Sequence, residues 1–73
     1  MPPYLRVSED MRARIESGDL LPGEQLPSLD RLAAEYSVSR ATAQRVITIL
    51  AAEGLIETRR RWGAFVARRP ASH

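Results

Sequence analysis

Seventy-three residues form one small domain, and the absence of cysteine excludes both a disulfide framework and a four-thiolate zinc site. A chain this short buries only about 60% of the surface its unfolded form exposes, so its stability is modest. The net charge of +2 conceals an asymmetry: residues 1–57 hold six arginines against nine acids, whereas residues 58–73 hold five arginines and no acid.

The first predicted helix covers 4–17, because Tyr4, Val7, Met11 and Ile15 recur at spacings of three and four on one face. Gly18 suits its stop, Pro22-Gly23 marks a turn, and Pro27 stiffens the approach to the next helix. The second helix runs from Leu29 to Tyr36 behind a Ser28 cap, with Leu29, Leu32, Ala33 and Tyr36 as its inward stripe. Arg31 stands where a glutamate would complete a capping box, while Asp30 places negative charge in the first turn. After a short turn at Ser37 and Val38, Ser39 caps a third helix of about Arg40 to Glu53.

At about 100° per residue, Ala43, Val46, Ile47 and Leu50 fall on one side of that helix, and Arg40, Ala41, Gln44, Arg45 and Thr48 fall on the other. Gly54 ends it. The period then shifts toward two: Leu55 to Arg60 and Ala64 to Arg68 read as paired strands, with Arg61-Trp62-Gly63 as the turn. Three helices followed by a hairpin give the fold class α+β, mainly α, a three-helix winged helix-turn-helix. The expected domain covers 1–68, with a frayed tail at 69–73.

Met1 to Leu20 has no apolar core and carries charge throughout, so a signal peptide is not expected. No stretch approaches the roughly 20 apolar residues of a membrane span. A soluble, intracellular protein follows. His73, at the very end, is the only histidine and argues against a metal site. An enzyme is not expected either, since internal histidine, cysteine and a glycine-rich phosphate loop are all missing.

Every basic residue is arginine, whose planar fork binds phosphate and guanine edges in a bidentate way that lysine cannot match. Coding bias in a GC-rich genome explains the missing lysine equally well, but not the clustering. Arg40, beside the start of the third helix, can reach guanine O6 and N7, and Gln44 one turn on suits adenine. Arg45, at the edge of that face, meets phosphate or pairs with an acid on a neighbouring helix. Ser39 and Thr42 place hydroxyls where helix amides favour phosphate, or hydrogen-bond locally. Arg59, Arg60 and Arg61 are three like charges that ordinarily stay hydrated. Laid along a phosphate backbone or into a minor groove, their mutual repulsion becomes attraction to the duplex. Trp62 leans on a sugar or packs back over the hairpin.

The chain resembles the N-terminal domain of the GntR family of bacterial transcriptional regulators. The resemblance runs from Tyr4 to Val66: Ile15 with Ser17-Gly18, Leu21-Pro22-Gly23-Glu24, Leu26-Pro27-Ser28, Leu32-Ala33, Tyr36, Val38-Ser39-Arg40, Thr42, Leu50, Glu53-Gly54-Leu55-Ile56, and Gly63 with Phe65-Val66. It implies sequence-specific binding of double-stranded operator DNA, usually by a homodimer on an inverted repeat, in the bacterial cytoplasm at the nucleoid. It implies no cofactor, and an effector ligand only where a larger C-terminal domain is present. Ser28, Arg31, Ala41 and Gly63 join the residues above as candidate DNA contacts. Four positions depart from the family pattern: Asp30 replaces a usual DNA-contacting arginine, Gln44 a common arginine, Arg61 the first glycine of the wing turn, and Ala64 a threonine. The alternatives are a winged-helix module that recruits another protein and a non-specific nucleic-acid binder.

Overall fold

A computed structural model describes residues 1–61 and 63–68. Trp62 and the expected tail at 69–73 lie outside the described residues. Helix α1 spans Pro3–Ser17, with Pro3 at the first helical position, where its missing N–H is not needed. Gly18, in the left-handed region, closes it. Helix α2 spans Leu29–Tyr36, and the Ser28 hydroxyl accepts from the Arg31 amide, the capping bond expected of it. Ser37 then takes left-handed φ and makes the tight turn into α3, Arg40–Ala52. There the Ser39 hydroxyl accepts from the Thr42 amide at 3.0 Å. Glu53, expected in the last turn, is instead the residue that caps α3, and Gly54 at φ +81° turns the chain toward the wing.

Strands β1 (Ile56–Arg59) and β2 (Gly63–Val66) pair antiparallel, with Ile56 opposite Val66 and Arg59 opposite Gly63. That register corrects the expected turn: Gly63 belongs to the ladder, opposite Arg59, and the turn begins at Arg60. One further bond, from the Ala67 amide to the Leu55 carbonyl, carries the pairing outward. The other edge of β2 is covered by the segment after the Pro22-Gly23 turn, which the sequence pattern left as a connection. Gln25 bridges Phe65, the Val66 amide donates to Glu24, and the Leu26 amide donates to Ala64. The wing is therefore fastened to the body along the edge of β2 that faces away from β1.

The core collects Val7 and Met11 of α1, Leu32 of α2, Ala43, Val46, Ile47 and Leu50 of α3, Ile56 and Val66 of the strands, and Leu20 and Leu26 of the connection. All four residues assigned to the inner side of α3 are there. Tyr4, Ile15, Leu29, Ala33 and Tyr36 pack against this core, half-buried. Ser8 shares the inner face of α1 without a penalty, because its hydroxyl donates to the Leu5 carbonyl.

Two polar links hold α1 against its neighbours. Arg12 grips Glu53 with a bidentate pair of 2.9 and 2.8 Å, joining α1 to the end of α3. The Tyr36 phenol donates to Asp10 and accepts from Arg14, which also reaches Asp19. Burial pushes the Tyr36 phenol above its ordinary value near 10; the bond to Asp10 acts in the same direction and Arg14 opposes it. A group whose folded pKa is raised adds stability that is complete below its unfolded pKa and is lost as pH rises through the folded value. With no lysine and no cysteine, tyrosines are the only side chains that titrate in the range above pH 9 and below that of arginine. The urea midpoint is thus expected to fall between pH 9 and pH 11.5, and to fall less in Tyr36→Phe. An identical fall in both proteins would show that Tyr36 ionises equally in the folded and unfolded states.

Candidate nucleic-acid interface

The outer side of α3 is exposed along Arg40, Ala41, Gln44, Arg45 and Thr48, as its helical spacing requires. At its start, Ser39 donates its hydroxyl hydrogen to the Thr42 Oγ1 at 3.0 Å while accepting the Thr42 amide. Of the two alternatives for Thr42, the local bond is thus present. One turn on, Thr48 donates to the Gln44 carbonyl, and the Gln44 amide reaches the Thr48 hydroxyl at 3.3 Å. These local bonds tether Gln44 along the helix surface.

Between this face and the wing runs an open groove of about 690 Å³. Ser28 and Gln44 line its helical side, and Arg59, Arg60, Arg61 and Gly63 line the wing side. No acidic side chain is among the described residues that line it. Six of the twelve candidate residues, drawn from three separate parts of the chain, therefore meet in one cationic channel. Gln25 and Thr58 line it too. Sequence reasoning missed both: Gln25 lies in a three-residue segment between a turn and a proline that shows no periodicity, and Thr58 reads only as a strand residue. Gly63 takes φ +100°, and a Cβ there would stand 3.3 Å from the Gln25 amide nitrogen, so glycine suits this position on two counts.

The arginines differ in what already holds them. Arg59 approaches Glu57 at 3.5 Å and lies 5.4 Å over the Phe65 ring. Arg60 and Arg61 are exposed and, among the described residues, have no acidic partner. Arg40 pairs with Asp30 across the turn, Nε to Oδ1 at 3.0 Å. Of the two alternatives for Arg45, the ion pair is absent among the described residues: its guanidinium lies instead 3.9 Å over the ring of Tyr4, in the first turn of α1. Arg31 is set apart from the channel. It pairs with Glu35 at 3.6 Å and lines a neighbouring depression that also holds Glu24.

Three helices, a tight turn between the second and third, and a two-stranded wing whose tip faces the outer side of α3 define a winged helix-turn-helix domain. The model of the bacterial regulatory proteins of the gntR family matches residues 3–66. The chain belongs to that family, which is one of regulators rather than of enzymes. It is 36% identical over 66 residues to the uncharacterized HTH-type transcriptional regulator YhcF of Bacillus subtilis, covering 90% of this chain and 54% of the relative. The HTH-type transcriptional repressor NagR of the same organism is 31% identical across 93% of this chain and 28% of its own length. The chain thus spans about half, or less, of these relatives. The DNA-binding domain of AraR, solved with its operator ORX1, superposes with a TM-score of 0.88 at 33% identity over 92% of this chain and 81% of that one. A GntR family regulator from Listeria monocytogenes gives 0.90 at 26% identity, over 94% and 60%.

Proposed function

We propose that this chain is the DNA-reading domain of a bacterial transcriptional regulator, acting in the cytoplasm on duplex operator DNA. The observation that carries this reading is the channel between the exposed side of α3 and the arginines of the wing, with no acid among the described residues that line it. A helix fits the major groove, which is about 12 Å wide, and the first two turns of α3 offer Arg40, Ala41 and Gln44 toward base edges. Arg60 and Arg61, exposed and unpaired with any described acid, gain most from a phosphate backbone. The similarity to AraR bound to operator DNA supports the same docking. A homodimer would set two such units on an inverted repeat, and linkage of two copies would raise an otherwise weak affinity.

Selection of bound sites from a random duplex pool tests the reading. A defined half-site is expected, recovered as an inverted repeat, with affinity that falls steeply as salt rises yet keeps its preference over random duplex. A pool enriched for no sequence would identify a non-specific binder. Absence of duplex binding at low salt would point to a protein-recruiting module.

A further inference from the structure

Asp30 and Arg40 face one another across the helix-turn-helix, each in the first turn of its own helix, with Oδ1 3.0 Å from Nε. Their side chains are 81% and 68% exposed, and pairs so open to solvent add little to folding. The pair nevertheless joins the arginine best placed to meet a base to a carboxylate supplied by a different helix. A free arginine side chain is long and flexible, and must be immobilised before it reads a base edge. A carboxylate at the Nε edge engages at most two of the five guanidinium donors and leaves the Nη edge for guanine O6 and N7. It also sets a negative charge where a phosphate would otherwise compete for the same arginine.

We propose that Asp30 is a specificity-determining positioning residue: it holds Arg40 through Nε so that the Nη edge meets guanine, and it disfavours phosphate as the alternative partner. This inference rests on the duplex-binding reading above. It assigns to α2 a role in sequence discrimination without requiring Asp30 to touch DNA.

The test uses the 73-residue chain and the duplex that it selects. The guanine read by Arg40 is the position at which Arg40→Ala loses discrimination. Affinities of the parent, Asp30→Asn, Asp30→Ala and Asp30→Glu are then measured for duplexes with and without that guanine. Asp30→Asn and Asp30→Ala are expected to lower the ratio at that position by about fivefold or more, the lower end of the worth of one bidentate pair. Ratios at other positions should hold, binding to random duplex should be equal or tighter, and thermal unfolding should match the parent. Asp30→Glu, which keeps the charge, should recover part of the ratio. Unchanged discrimination in Asp30→Ala overturns the inference alone, with the duplex reading intact. So does tighter binding to every duplex with the ratio preserved, which would mean that Asp30 merely quenches Arg40. Absence of any preference in the parent overturns the duplex reading and this inference together.

Discussion

Arg40→Ala is expected to erase most of the preference for the selected duplex at one guanine position, a loss of about 1–3 kcal/mol, while leaving affinity for random duplex nearly intact. Arg60→Ala should do the reverse. It should weaken binding to all duplexes alike and make the dependence of log affinity on log salt shallower by about one contact. The contrast follows from position. Arg40 opens α3, where a docked helix meets base edges, whereas Arg60 lies in the connection between β1 and β2, on the wing side of the channel. Fluorescence anisotropy over a salt series reads both quantities from one data set. If both variants bind like the parent, the faces assigned to α3 and the wing are wrong.

The chain contains only arginine as its cation, yet the structure divides these arginines by the company they keep. Arg12 and Arg14 are engaged between helices, by Glu53 and by Tyr36 with Asp19, and the guanidinium of each is held above its ordinary pKa, chiefly by those hydrogen bonds. Arg31 and Arg59 have an acid on their own element, and Arg45 has an aromatic ring. Arg60 and Arg61 have neither among the described residues. Net charge alone would not separate these groups. Bringing an anion to Arg60 and Arg61 breaks no ion pair among the described residues.

Local chemistry made much of this legible before any coordinates. Ser28 and Ser39 are caps because a new helix leaves amides unpaired, and the 3.6-residue period separates Val46 and Leu50 from Gln44 and Arg45. The hairpin was readable except for its register, in which Gly63 pairs with Arg59 rather than sitting in the turn. What stayed hidden depends on contacts between distant segments. Nothing about Glu24-Gln25-Leu26 marks it as a neighbour of β2, since three residues carry no period. The stacking of Arg45 on Tyr4 follows from how α1 crosses α3, which composition does not encode. The channel joins Ser28, Gln44 and the wing only after that docking, so its candidates were nameable singly but their convergence was not.

Leu50→Ala should produce the largest change in folding stability. Leu50 is fully buried on the inner side of α3, the helix that packs against α1, α2 and β1 at once. Truncating a buried leucine costs about 2–5 kcal/mol, through lost transfer energy and the cavity left behind. A domain of this size has only about 4–11 kcal/mol in total, so about a fifth of its stability, or more, would go. The melting temperature should fall by about 10 °C or more, and the urea midpoint should fall with little change in slope. Arg60→Ala, on the exposed wing, should stay within about 0.5 kcal/mol of the parent. The same helix carries the base-facing residues on its other side, so duplex binding by Leu50→Ala should track the folded fraction as temperature rises. At low temperature, where that variant is folded, its sequence preference should equal the parent's. A preference altered while the domain remains folded would mean that the two faces of α3 are not separate in function.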